Sequence, residues 1–132
     1  MNLFELKNRC PVDLAIDVVG GKWKPLILYR LGKGSLRYGE LQRSIPNVTQ
    51  RMLTLQLREL ERDGLLIRTV HAEVPPRVEY ELAAPARSLL PVLDALGKWL
   101  LEHHAELRPT AHHGRASGRE VPKPRLVANL QD

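Results

Sequence analysis

Across residues 48–64 the leucines recur at helical spacing, and directly after Gly64 the apolar period drops to two. Leu53, Leu57 and Leu60 stand at i, i+4 and i+7, and at about 100° per residue they share one face of a helix. Thr49 is the expected N-cap, because its hydroxyl accepts from the free N–H groups of a first turn. Gly64 suits the left-handed position just past the last turn. Arg51, Thr54, Leu55 and Arg58 fall on the opposite face, with Arg62 further along and no carboxylate among the first four. Such a face belongs to a solvated amphipathic helix or to a helix that enters DNA. A helix that needs only solubility more often mixes the signs of its outer charges.

The flanking segments favour the second reading. A short helix is expected over residues 39–45, with Leu41 and Ile45 pointing inward. Pro46-Asn47 then breaks the chain, so a short and a longer helix meet across a tight turn at residues 45–48, which is helix-turn-helix spacing. After Gly64, residues 66–71 are β-branched and half alternating, and residues 77–82 alternate charged with apolar side chains. These two strands around a turn at 72–76 predict a hairpin, or wing. Pro75-Pro76 would stiffen its tip and present Arg77.

The rest of the chain supplies supports. Residues 1–10 read as an arm. Pro11 suits the first position of a helix, leaving Cys10 near the N-cap, and Gly20-Gly21 ends that helix. Residues 23–31 form a compact second helix, largely buried, with Pro25 tolerable in its first turn. Leu36-Arg37-Tyr38 is either a very short strand or the start of the third helix. Residues 87–104 return to helical spacing. Leu89, Leu93, Leu96 and Leu100 make one stripe, which Leu90, Val92, Trp99 and Leu101 widen, while Pro91 delays or kinks the helix. A helix apolar on more than one face packs on its own domain or on a partner. A small winged domain leaves little surface to cover it, which favours dimerisation. Residues 107–132 are rich in Gly, Pro, Ala and Arg without a period and read as a disordered basic tail. One domain over 10–106 therefore lies between an arm and a tail, and a chain of 132 residues can bury the core this requires.

Charge and chemistry narrow the function. Residues 22–62 hold nine cations against three acids, a local +6 in a chain of net +5. The positive charge is thus concentrated around the candidate helix, which points to a polyanion. No Gly-rich phosphate loop or nucleophile-elbow pattern is present. His103-His104 and His112-His113 are adjacent pairs rather than the i, i+4 spacing of two ligands on one helical face, so no metal, cofactor or catalytic residue is expected. No apolar run approaches a membrane span and the first residues lack a signal-peptide pattern, so the expected location is the cytoplasm. A single cysteine excludes an internal disulfide framework and a multi-cysteine zinc site.

A major groove admits an α-helix, whose N-terminal half reaches the base edges. Gln50, Arg51, Thr54 and Leu55 occupy that half. Arg51 suits guanine or a phosphate, Gln50 suits adenine or the backbone, and Leu55 offers only an apolar contact such as a thymine methyl. Arg58 and Arg37 are candidates for phosphate, and Arg77 for a neighbouring minor groove. Cys10, close to a helix N-terminus with Lys7 and Arg9 nearby, is either an activated thiolate or a small buried apolar residue.

Several motifs, taken together, carry a resemblance. Cys10-Pro11-Val12, Gly20-Gly21-Lys22-Trp23, Tyr38-Gly39-Glu40-Leu41, Gln50-Arg51-Met52-Leu53, Asp63-Gly64-Leu65 and Val74-Pro75-Pro76-Arg77-Val78-Glu79-Tyr80 closely resemble the HxlR family of bacterial, MarR-like winged helix-turn-helix transcriptional regulators, over about Cys10 to His104. The resemblance implies an α+β, mostly α, winged helix-turn-helix fold with a β-hairpin wing and N- and C-terminal dimerisation helices. It implies a homodimer on a roughly palindromic operator in double-stranded DNA. It also implies a cysteine, matching Cys10, that in some members senses a small electrophile or oxidant. Two positions depart from the family's pattern. Leu55 stands where a polar residue is usual, and Glu81-Leu82-Ala83-Ala84-Pro85 stands where a threonine and an acid commonly lead into the last helix. A switch through two different cysteines is excluded, leaving a Cys10–Cys10 bridge between copies, a mixed disulfide or alkylation. The competing class is a winged-helix protein-interaction module that does not read DNA.

Overall fold

A computed structural model describes residues 8–108. The elements run α1 (Pro11–Val19), α2 (Lys24–Leu31), β1 (Leu36–Arg37), α3 (Tyr38–Ser44), α4 (Gln50–Arg62), β2 (Leu66–His71), β3 (Arg77–Leu82) and α5 (Ala84–His103). The first seven residues of the expected arm, and the expected tail from residue 109, lie outside the described residues.

The core is built where the leucine period predicts it. Leu53, Leu57 and Leu60 of α4 are buried against Ile27, Leu28 and Leu31 of α2, Leu41 of α3, and Leu66, Tyr80 and Leu82 of the sheet. Both ends of α4 close as expected. Thr49 Oγ1 accepts from the Met52 N–H at 3.1 Å. At the other end Gly64 has φ +82°, its N–H donates to the Glu61 carbonyl at 3.0 Å, and the Leu65 N–H reaches back to Leu60 at 2.9 Å. These two bonds satisfy carbonyls that a helix end leaves open, and they turn the chain into β2. In the preceding turn Asn47 takes φ +68°, a left-handed conformation that Asn tolerates better than most residues.

The sheet has three antiparallel strands in the order β1-β3-β2. The wing is therefore more than a hairpin. Leu36 pairs with Tyr80 and Arg37 with Glu79, so residues 36–37 are a strand and Tyr38 begins α3 without a gap.

Two expectations about the helices change. The expected largely buried second helix buries only one face, that of Lys24, Ile27, Leu28 and Leu31, while Leu26 and Tyr29 stay exposed. The last helix starts at Ala84 rather than residue 87, because Pro85 needs no N–H partner in a first turn. Ala83 caps it without a side-chain bond, and Pro91 lies inside it without ending it. At 20 residues α5 is about 30 Å long and outruns the core beneath it. Its leucine stripe consequently splits: Leu89 and Leu93 pack on the domain, whereas Leu96 and Leu100 are 60% and 46% exposed.

Candidate nucleic-acid interface

The outer face of α4 is open. Gln50, Arg51, Leu55 and Arg58 are exposed, and with Thr49 and Thr54 they line one shallow concavity. Thr54 is the exception among the expected contacts on α4. It is half-buried, and its Oγ1 lies 3.1 Å from the Tyr38 hydroxyl. That hydroxyl donates its single hydrogen to the Gln50 carbonyl at 2.9 Å, so Thr54 serves as donor to the Tyr38 oxygen. Tyr38 thereby ties the first residue of α3 to the first turn of α4. Sequence reading missed this role, since a tyrosine at a strand–helix junction carries no periodic signal.

The rotation of α4 is also held from below. Lys24 Nζ on α2 lies 2.8 Å from Glu59 Oε2, and Lys24 is buried. The lysine's hydrogen bond and charge hold the Glu59 carboxyl below the usual carboxylate range. Lys24, one of the nine cations counted over residues 22–62, is therefore internal and neutralised.

Ion pairing sorts the arginines. Among the described residues, Arg9, Arg62, Arg77 and Arg87 each have a carboxylate within 4.0 Å. Arg37, Arg43, Arg51, Arg58 and Arg68 have none within that distance and are all exposed. Arg37, whose N–H donates to Glu40 Oε1 at 3.0 Å at the start of α3, keeps its guanidinium open. Arg77 opens β3, as the alternation over 77–82 predicts, beside the tip rather than on it, and it is paired: Nη2 lies 3.2 Å from Glu73 Oε1 and Nε lies 3.5 Å from Glu79 Oε1. The exposed tip is formed by Glu73, Val74, Pro75 and Pro76. Glu79 in turn accepts from the Ser35 hydroxyl at 3.1 Å, and this bond, followed by the neighbouring Arg77 guanidinium, lowers its pKa.

Two further regions were singled out from sequence. Cys10 is exposed at the N-cap of α1, so it is not a buried apolar residue. The backbone N–H groups of Asp13 and then Val12 pull its thiol pKa below the ordinary value. Arg9 contributes less than its position suggests, because its Nη2 bonds Asp17 at 2.6 Å and Asp13 at 2.9 Å. Lys7 lies outside the described residues. On α1, Val12 and Ile16 are exposed, as are Val92, Leu96, Trp99, Leu100 and Leu101 on α5. Of the four leucines expected at a dimer interface, Leu96 and Leu100 are exposed, whereas Leu89 and Leu93 are half-buried against the core. An apolar groove runs between α2 and α5, floored by Leu26, Tyr29, Leu93 and Trp99. Among the described residues no helix is long and apolar enough to cross a membrane.

Residues 18–107 match the family described as HxlR-like helix-turn-helix. A relative in Methanothermobacter thermautotrophicus, named an uncharacterized HTH-type transcriptional regulator, is 54% identical over 90 residues, covering 68% of this chain and 69% of its own. The crystal structure of the HTH-type regulator ytcD superposes with a TM-score of 0.70 at 49% identity, over 74% of this chain and 99% of that one. The redox regulator HypR in its oxidized form superposes with a TM-score of 0.67 at 44% identity, over 76% of this chain and all of that one. With most of the described domain inside the matched segment, the chain belongs to the HxlR-like helix-turn-helix family of transcriptional regulators.

Proposed function

We propose that this regulator binds a roughly palindromic operator as a homodimer, with α4 of each copy in a major groove, and that Cys10 tunes the binding. The observation that carries the reading is the exposed face of α4, where Gln50, Arg51, Leu55 and Arg58 stand free above a fully buried leucine stripe. Arg51 and Gln50 in the first turns suit base edges, Leu55 a thymine methyl, and Arg58 and Arg37 phosphates. The uncovered apolar faces of α1 and α5 support a second copy as partner, since soluble monomers rarely leave such a patch open. The redox regulator among the solved relatives, together with an exposed thiol of lowered pKa, supports a response to an oxidant or electrophile. Its place of action is the cytoplasm, where the operator is.

The test is duplex binding across salt, using the intergenic DNA beside the protein's own gene and a random sequence. A strong fall in affinity as salt rises, with tighter binding to the intergenic DNA, is expected. Footprints should show two half-sites about 10 base pairs apart or a multiple of that. Affinity that is absent, or flat in salt, would replace DNA binding with a protein-interaction role.

A further inference from the structure

We propose that Arg68, on β2, grips a DNA phosphate together with Arg58, across a cleft between α4 and the sheet. This rests on the DNA-binding reading above and adds β2 to an interface otherwise drawn from α4 and Arg37 of β1.

Strand alternation shows why Arg68 is not an ordinary surface arginine. Side chains two apart share a face, so Leu66, Arg68 and Val70 point the same way. Directly paired residues on neighbouring strands also share a face, and the register pairs Leu66 with Leu82 and Arg68 with Tyr80. Leu66, Leu82 and Tyr80 are all buried. Arg68 therefore stands on the core-facing side of the sheet and yet is exposed. A solvating charge belongs on the other face, where Thr69 pairs with Glu79 and Ile67 with Glu81. Arg68 sits where the inner face leaves the core and becomes the wall of a cleft.

The facing wall is α4. Arg58, Thr54, Gln50 and Glu61 line it, with Tyr38 as a further lining residue. Among the described residues no carboxylate lies within 4.0 Å of either guanidinium, Glu61 included. Two unpaired cations on one cleft repel each other until an anion sits between them. A phosphodiester fits, since a guanidinium presents a planar fork of donors to phosphate oxygens. The cleft also shares Gln50, Thr54 and Arg58 with the concavity that holds Arg51 and Leu55. A strand backbone in the cleft would therefore run alongside the bases that α4 faces.

The experiment compares wild type, Arg68→Ala and Arg68→Lys on a random-sequence duplex and on the intergenic duplex, from about 50 to 200 mM salt. Arg68 is exposed, so each variant should melt with wild type. Arg68→Ala should weaken both complexes by the same factor and shrink the log–log salt slope by about 0.9, the value of one phosphate. Arg68→Lys should restore the slope. An unchanged slope, or a loss confined to one sequence, overturns the phosphate contact. Inorganic phosphate at constant ionic strength supplies the other arm. If it raises the melting temperature of wild type but not of Arg68→Ala, while the DNA slope stays the same in both, the cleft holds a free anion and the DNA contact is wrong. Wild type that binds no duplex refutes the DNA-binding reading itself; wild type that binds and is matched by Arg68→Ala refutes only this inference.

Discussion

Lys24 Nζ lies 2.8 Å from Glu59 Oε2, and the two ends of this pair are unequally buried: the lysine side chain is 11% exposed and the glutamate 30%. Removing the glutamate strands a charge inside the domain, whereas removing the lysine leaves a carboxylate that water can reach. Breaking a fully buried pair from one side costs about 3–5 kcal/mol. With Glu59 partly wet, Glu59→Gln should cost about 2 kcal/mol and Lys24→Met close to nothing. Urea unfolding of the two variants checks this asymmetry. Equal losses would mean that the pair itself, not the stranded lysine, sets the stability.

The same carboxylate gives a pH dependence. Lys24 holds the Glu59 pKa below its unfolded value, and the Ser35 hydroxyl, with Arg77 and His71, does so for Glu79. Below the ordinary glutamate value of about 4.3 the unfolded chain binds protons that the folded one still refuses. Both groups therefore contribute stability that is complete above that value and is lost as pH falls through their lowered pKa values. Unfolding free energy should be flat from neutral pH to about 5 and then decline. In Glu59→Gln the decline should be shallower; an unchanged acid limb would exonerate Glu59.

What was legible in the sequence was local. The leucine period of α4, its Thr49 cap and its Gly64 stop are read within one helix, and all three stand in the structure. What was not legible depends on distant partners. A two-residue strand has no period, and β1 exists because Leu36 meets Tyr80. Lys24 reads as surface charge until Glu59 is brought over it. Arg77 reads as a free wing cation until Glu73 and Glu79 fold onto it. The α5 stripe shows which leucines share a face, but not that the core ends beneath Leu93 and leaves Leu96 uncovered.

Arg51 and Tyr38 should fail in different ways. Arg51 is exposed on the face of α4 and makes no ion pair among the described residues, so Arg51→Ala should weaken operator binding by about 1–3 kcal/mol and random DNA far less. Equal losses on both would make Arg51 a phosphate contact. Tyr38→Phe touches no proposed base. It removes the bonds to Gln50 and Thr54, which should cost about 1 kcal/mol of fold stability and loosen the first turn of α4. Operator dissociation should quicken with no change in salt slope. A reduced slope would place the Tyr38 hydroxyl on the DNA backbone.

Leu93 and Leu96 separate the fold from the assembly. Leu93 packs on the core, and Leu93→Ala should lower stability by about 2 kcal/mol while leaving the chain dimeric. Leu96 is 60% exposed, and Leu96→Glu should place a charge in the proposed interface and give a monomer by sedimentation. A dimer stabilises itself by mass action, so the wild-type melting temperature should rise with protein concentration and that of Leu96→Glu should not. A wild type that sediments as a monomer at all concentrations would assign the apolar face to another partner.

Cys10 should react as a thiolate because of the helix it caps. The N–H groups of Asp13 and Val12 lower its pKa, whereas Arg9 is drawn off by Asp13 and Asp17. The rate of alkylation by iodoacetamide should reach half its maximum below the ordinary cysteine value of about 8.5. Arg9→Ala should move that midpoint little, because the backbone, not the guanidinium, stabilises the thiolate. A large upward move would reverse the assignment and make the arginine the activator. In the proposed dimer the same thiol would link chemistry to DNA, since α1 also carries the exposed Val12 and Ile16. A group added at Cys10 would alter how α1 of the two copies meet, and with it the spacing of their α4 helices. A quinone or diamide should therefore change operator affinity in wild type and leave Cys10→Ser unaffected. An identical response in both proteins would remove Cys10 from the switch.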